Sequence, residues 1–472
     1  MLSVKIFPTA HFLFAASLLG LSISAAAENL ADVLAAADAN DPQWQATRAS
    51  IDARREVLTQ GRAGMLPSLV LSGEDKTNDA EDNLTGTSSS YDSRTLALTL
   101  TQPLLRFDHW FKYQSARAAR SQADAEYVTA EQDYLVRVTE TYLAVLRAEE
   151  QLNYARAEEA ALSRQLEQAR QRFNVGLIAI TDVHETEAAY DLAKVGLIVA
   201  NTELSVSRSR LKTLTGKSYS ALAFPGEDMP IVLPAPEDAE SWALKAHEGN
   251  AQLIAARHAA RAAQQNARAA TAGHLPNVDI VAQRVDSQTS FIFGPTPTPV
   301  DTTTDSVGLQ FSWPLFAGGA INSQRKQANY VADAAQENLR AAELNAVEGA
   351  RTQYRIVEAD VQRVAARKQA IVSAQSALDA TNAGYEVGTR NVVDVLQAQR
   401  YAFAARRDFA NARYDYILNL LRLHKAAGSL ARGSLLDGNK WLNVTLALDD
   451  GAPVIDPNAA VAPDATPPPA TP

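Results

Sequence analysis

The stretch R-F-N-V-G-L-I-A-I-T-D-V, from Arg172 to Val183, decides how the chain is read. It returns in altered form from Gly384 to Val395, as G-Y-E-V-G-T-R-N-V-V-D-V. Phe173 and Tyr385, Gly176 and Gly388, and Asp182 and Asp394 all stand 212 positions apart. In each copy a glycine interrupts a long helical pattern. Asn174, Gly176 and Gly388 tolerate the left-handed backbone of a tight helix-to-helix turn. Each stretch is therefore predicted to be the tip of a helical hairpin, with an aspartate a few residues beyond it. The second tip adds Tyr385 and Arg390.

Working outward, each tip ends a helical run of unusual length. Asp108 to Val175 and Gly318 to Val387 contain no proline, and each would span roughly 100 Å as a helix. The second run keeps a 3–4 apolar spacing through Val347, Ala350, Tyr354, Val357, Val361, Val364, Ile371, Leu378 and Tyr385. The first keeps the same register through Leu135, Val138, Tyr142, Val145, Glu149, Leu152, Leu166 and Phe173. This is coiled-coil spacing interrupted by polar residues. Glu149, Arg156 and Glu159 on that seam suggest a wall one helix thick with water on one side. The returning helices keep heptads too, through Val183, Tyr190, Leu197, Leu204 and Leu211, and through Val395, Ala402, Phe409, Tyr416 and Leu423. They stop near Gly216 and Gly428, after about half the length of their partners. Opening helices at Leu30 to Gly64 and Glu237 to Gly273 supply the missing half.

Between opening helix and long helix, each half carries strands. Thr95 to Leu104 alternates, with Leu96, Leu98 and Leu100 on one side and Thr95, Ala97, Thr99 and Thr101 on the other. Val307 to Trp313 does the same, with Val307, Leu309, Phe311 and Trp313 against Gly308, Gln310 and Ser312. Shorter extended segments are predicted at Leu69 to Gly73 and Val278 to Val285. The polar stretches Asp75 to Ser93 and Asp286 to Asp305 are predicted as loops. A soluble sheet with one buried face would alternate in this way. A tilted membrane strand, leucines to lipid and Thr, Gln, Ser and Gly to a wet lumen, would also do so. Aromatics at the strand ends favour the membrane: Phe107, Trp110 and Phe111 in one half, Phe311, Trp313 and Phe316 in the other. Four strands cannot close a barrel alone, so an oligomer is required.

The chain is thus a tandem repeat. Residues 1–27 have the form of a secretory signal, with Lys5, an apolar Phe12 to Ile23 and the small residues Ala25 to Ala27. Residues 28–216 are the first repeat and 237–428 the second. Residues 217–236 and 429–448 are expected as an equatorial linker and C-terminal segment at mid-height. Residues 449–472, rich in Pro, Ala and Asp, are expected as a disordered tail. The chain has 472 residues, a net charge of −10 and no cysteine. That composition excludes disulfides and thiolate metal sites, and the acidic balance without a basic run argues against nucleic acid. Seven scattered histidines give no zinc spacing. No convergent set of chemical groups marks an enzyme, and no cofactor or metal is expected.

The tip motifs, together with G-H-L-P at Gly273 to Pro276 and V-S-A-Q-S-A-L-D at Val372 to Asp379, resemble the TolC family of outer-membrane channel-tunnels. The resemblance covers the mature chain to about Gly428. It implies an α+β membrane protein: a homotrimer with a 12-stranded β-barrel in outer-membrane lipid, continuous with a 12-helix α-barrel in the periplasm of a Gram-negative bacterium. Pro103 and Pro314 match the family's strand-to-helix junctions. Thr181, Asp182, Tyr385 and Arg390 match its periplasmic gate, with Tyr385 donating to Asp182, and Arg390 bonding Thr181 and Asp182. Asp394 matches the first of two aspartate rings at a cation-selective entrance; the second falls on Gln397, where this chain departs. Val175, Gly176, Leu177, Val387, Gly388 and Thr389 match the tips that touch a periplasmic adaptor, which joins the channel to an inner-membrane pump or ABC transporter. The implied function is a passive exit duct for drugs or secreted polypeptides. The alternatives from spacing alone are a coiled-coil scaffold without a pore, with Asp182 as a helix cap, Tyr385 as a seam residue and Arg390 solvated.

Overall fold

The two long runs are continuous helices, as the lack of proline allows. In the computed structural model, which describes residues 28–82, 86–226, 229–291, 298–433 and 442–447, the order of elements follows the repeat. The first half comprises α1 (Leu30–Asn40), α2 (Pro42–Arg55), α3 (Val57–Ala63), β1 (Ser68–Asp82), β2 (Thr87–Leu105), α4 (Phe107–Asn174) and α5 (Ile180–Thr215). After β3 (Ala221–Pro225) the second half comprises α6 (Ala239–Gly249), α7 (Ala251–Ala272), β4 (Asn277–Phe291), β5 (Thr298–Ser312), α8 (Ala320–Glu386) and α9 (Val392–Ala426). A last strand, β6 (Leu442–Ala447), closes the described chain. The expected signal, 1–27, and the expected tail, 449–472, lie outside the described residues.

The opening helices differ from the single helices predicted. The first breaks at Asp41, whose carboxylate caps α2 ahead of Pro42 at its first turn. The second breaks at Asn250, whose side chain accepts from the Leu253 N–H. Both breaks are sequence-local: a capping residue placed mid-pattern ends one helix and starts the next.

The strands are longer than predicted. They form one antiparallel sheet in the order β1-β2-β4-β5. Leu69 lies opposite Leu100 and Leu71 opposite Leu98. Leu100 lies opposite Ala282, which in turn faces Val307, while Ile280 faces Leu309. One apolar face therefore runs across all four strands, and its leucines are exposed. The opposite face carries Thr99 beside Gln283 and Gln283 beside Ser306. The apolar face ends in a cross-strand ion pair in each hairpin, Arg94–Asp75 at 3.0 Å and Arg284–Asp305 at 3.7 Å. Beyond these pairs both strand faces are mostly polar, with Tyr91, Val285 and Val300 scattered among Asp, Asn, Ser and Thr. That is why the stretches 75–93 and 286–305 read as loops: a strand that has left hydrocarbon needs no apolar face, so its period is invisible in composition.

Below the sheet, α4 packs with α5 and α9, and α8 packs with α9, α6 and α7. The seam positions Leu135, Val138, Tyr142, Val145 and Leu152 are buried, as are Ala350, Tyr354, Val357 and Val364. Glu149 is buried too, against the expectation of a watered face; it accepts from Arg208 of α5 at 3.0 Å. Asp360 plays the same part in the other hairpin, accepting from Asn419 at 2.7 Å. A buried carboxylate with a partner across the seam fixes the register of two helices that alanine would let slide.

The described residues of the segments expected as a belt include two short strands. β3 and β6 pair antiparallel, and the Tyr142 hydroxyl donates to the Ala223 carbonyl. Tyr142 lies near the midpoint of the 68-residue α4, which puts this small sheet at mid-height. Arg432 clamps the same level, donating to Glu131 of α4 at 2.7 Å and to Asp38 of α1 at 3.0 Å.

Candidate functional site at the hairpin tips

Both tips are built by one backbone device. At the end of α4 the Gly176 N–H donates to the Phe173 carbonyl at 2.8 Å, and the Leu177 N–H to the Arg172 carbonyl at 2.9 Å. At the end of α8 the Gly388 N–H donates to Tyr385 at 3.1 Å, and the Thr389 N–H to Gly384 at 2.8 Å. This pair of bonds is the Schellman cap, and it needs a left-handed residue between them. Gly176 supplies φ +73° and Gly388 φ +79°. A Cβ at either would meet open space, so only backbone strain and whatever docks there oppose a larger residue. Val175, Leu177 and Val387 stand 70%, 74% and 75% exposed. Apolar side chains so placed on a turn leave most of their surface to solvent in the protomer.

The returning helices start differently. Asn391 caps α9 by accepting from the Asp394 N–H at 2.8 Å, and Asp394 accepts in return from the Asn391 N–H at 3.4 Å. The Asn391-x-x-Asp394 spacing is a capping box and was open to sequence reading. The first helix has no side-chain cap at Ala179. Asp182 is therefore not the cap that spacing alone allowed; it lies in the first turn of α5, where a carboxylate suits the helix dipole. Thr181 is exposed and Asp182 half-buried.

The expected gate links are not formed within one protomer. Among the described residues no hydrogen bond joins Tyr385 or Arg390 to Thr181 or Asp182. Arg390 lies instead 3.9 Å from Asp394, four residues along its own hairpin. Its stem crosses Gly384, where a Cβ would stand 2.8 Å from the Arg390 Cγ. Tyr385 packs partly buried beside Leu162, Ala189, Ala193, Val392 and Leu396, which belong to both hairpins. The Arg172 guanidinium carbon stands 5.5 Å from the Tyr385 ring centre. Arg172 is a contact residue that the sequence reading missed, although it opens the very stretch on which that reading rested. Gln397 lies one turn beyond Asp394 and donates to the Tyr401 hydroxyl at 3.1 Å. Glu187 accepts from Arg170 at 2.8 Å, and no group of His, Asp and Glu among the described residues could hold a metal ion.

At the other end of α4, Pro103 lies within β2 at a register irregularity, and Arg106 follows it to bond Asp279 of β4 at 3.0 Å. Pro314 falls between β5 and α8, ahead of the left-handed Gly318 and Gly319. Both prolines stand where the backbone leaves the ladder, as their missing N–H requires.

A sheet with one apolar exposed face, leading straight into long helical hairpins, defines a class: channels that cross the outer membrane as strands and the periplasm as helices. Relatives say the same. The outer membrane efflux protein family matches residues 33–217 and 242–429. The chain is 35% identical to the outer membrane protein TolC of Vibrio cholerae over 92% of its own length and 98% of the relative's. It is 29% identical to the alkaline protease secretion protein AprF of Pseudomonas aeruginosa, over 90% and 89% of the two chains. Its fold matches the solved outer membrane protein VceC of Vibrio cholerae with a TM-score of 0.71 at 19% identity, over 84% of this chain and 96% of that one. The chain belongs to the outer membrane efflux protein family. It is a transport channel of the outer membrane that reaches into the periplasm, and not an enzyme.

Proposed function

We propose that three copies of the chain form a passive exit duct, docked at its periplasmic tips to an adaptor protein and through it to an inner-membrane pump or ABC transporter. The observation that carries this is the four-stranded sheet with two unpaired edges, β1 and β5, and one exposed apolar face. Three such sheets joined edge to edge make a twelve-stranded barrel with its leucines to lipid and its threonines to water. The hairpins of the same three chains would continue it as twelve helices. Drugs and polypeptides are both supported as cargo: the family is named for efflux, and one relative is named for protease secretion.

The tips would close the duct at rest. In the assembled ring Tyr385 would donate to Asp182, and Arg390 would turn from Asp394 to Thr181 and Asp182. Six such links at ~1 kcal/mol each hold roughly 6 kcal/mol. Shifting a two-state gate from 1:99 to 99:1 takes about 5.5 kcal/mol, so the resting channel is closed and docking at the tips supplies the opening bias. Single-channel recording in planar bilayers tests this. Tyr385→Phe should open the channel slightly, and Tyr385→Phe with Arg390→Ser much more. A double variant that stays trimeric and conducts like the parent would overturn the latch. A parent protein that neither inserts nor conducts would overturn the duct.

A further inference from the structure

We propose that Arg172 is a gating residue: its guanidinium seats on the ring of Tyr385 and ties the end of α4 to the end of α8. Arg172 acts on the gate proposed above, through a contact that the hydrogen-bonded latch does not include. Three observations carry it.

The first is the distance. The guanidinium carbon lies 5.5 Å from the ring centre, within the ~6 Å over which an aromatic face attracts a cation. The second is position. Arg172 sits in the last turn of α4, and its own carbonyl receives the Leu177 N–H that closes the tip at 2.9 Å. Its backbone is thus locked into the turn of one hairpin while its side chain reaches the other. The third is the setting of the ring. Tyr385 packs, partly buried, against a cluster built from Leu162, Ala189 and Ala193 of the first hairpin and Val392 and Leu396 of the second. A ring lodged between hairpins with a cation over it is a joint, and its hydroxyl remains available for a further bond.

The neighbouring charges leave Arg172 to this role. Glu187 is engaged by Arg170 at 2.8 Å, Glu167 by Gln171 at 2.9 Å, and Asp394 lies 3.9 Å from Arg390. The contact forms in the protomer without the hydrogen-bonded latch, and swinging the second hairpin away from the first would separate guanidinium and ring, so an open arrangement would lose it. It needs the ring and not the hydroxyl, which makes it separable from the Tyr385–Asp182 bond by chemistry.

The test is a set of variants of the purified full-length channel in planar bilayers: Arg172→Gln, Arg172→Lys, Tyr385→Phe, Tyr385→Leu and the combinations of Arg172→Gln with each Tyr385 change. An exposed cation–π pair corresponds to roughly twofold to fivefold in an equilibrium, so three breaking together should raise the open-to-closed ratio on the order of tenfold to a hundredfold. Arg172→Gln should do this in the parent and again on Tyr385→Phe, which keeps the ring. It should add nothing on Tyr385→Leu, which lacks it. Arg172→Lys should open less than Arg172→Gln, since the charge is kept. An effect of Arg172→Gln that persists undiminished on Tyr385→Leu would mean that the charge acts on permeating ions and not on the ring, and would overturn the proposal. So would unchanged current in Arg172→Gln with intact trimers. If Arg172→Gln opens the channel while Tyr385→Phe does not, the cation–ring joint stands and the hydrogen-bonded latch falls.

Discussion

A glycine without a neighbour says more about the tips than one that is crowded. Gly176 and Gly388 have open space where a Cβ would go, and both hold positive φ. A side chain there costs roughly 1–2 kcal/mol of backbone strain and then projects outward, beside the exposed Val175, Leu177 and Val387. Gly176→Trp and Gly388→Trp should therefore leave the trimer in the membrane and abolish export, read as antibiotic sensitivity and lost secretion in a complemented deletion strain. Loss of the trimer itself would count against docking at the tips. Gly384 is the opposite case. Gly384→Ala would drive a methyl against the Arg390 stem and displace the guanidinium, so its conductance should resemble that of Arg390→Ser. Asp394 carries charge at the second tip and also completes the cap of α9. Three such carboxylates about 6 Å apart would repel by roughly 3 kcal/mol per pair at an effective dielectric of 20. Asp394→Asn should lower cation preference, measured as a shift of reversal potential in a salt gradient. With Gln397 in place of a second carboxylate, block by multivalent cations should be weaker than in a relative carrying both rings.

Among the elements, the seam between α4 and α9 holds a pair that the repeat does not explain. Glu150 Oε2 and the Tyr414 hydroxyl are both buried, face each other across that seam and find no well-formed hydrogen bond beyond their own approach. Burial pushes the Glu150 carboxyl up, and it pushes the Tyr414 phenol up as well. A carboxyl whose folded pKa exceeds its unfolded value stabilises the fold below the unfolded pKa, near 4.5, and loses that contribution as pH rises. Glu150→Gln removes the charge and keeps the shape. It should raise the melting temperature at pH 7.5, where the buried carboxylate would otherwise be charged, and the gain should shrink toward pH 4.5. Equal gains at both pH values would show that the carboxyl is not the cause. Arg208→Ala should act in the other direction. It strands the buried Glu149 carboxylate, a loss of roughly 3–5 kcal/mol when a buried pair is broken, and thermal unfolding of the purified protein should show it at neutral pH.

How much of this was legible before the structure depends on whether the signal was local. The helical hairpins were, because two tips with one spacing and two proline-free runs leave little choice. The membrane half of β2 and β5 was legible through its period of two, that of β1 and β4 only as short extended segments, and the polar halves were not, since a strand wet on both faces has the composition of a loop. Asp41 and Asn250 carried local cap signals inside apolar patterns that looked continuous. β3 and β6 were out of reach: they are short, and they join Ala221 to Ala447 across nearly half of the chain. At the site, the glycines and the Asn391–Asp394 box were readable, whereas the seat of Arg172 on Tyr385 needed two helices placed side by side.

At the scale of the whole molecule, the protomer is unfinished in a specific way. β1 and β5 each keep one edge without a partner, and the apolar face that runs between them is bare. Such edges recruit any extended chain they meet, and such a face recruits any greasy surface. A newly exported copy must travel from the inner to the outer membrane through water with both still open. If three copies close the barrel as proposed, each must keep those edges and that face from wrong partners until its siblings and the bilayer cover them together, which would couple insertion to assembly.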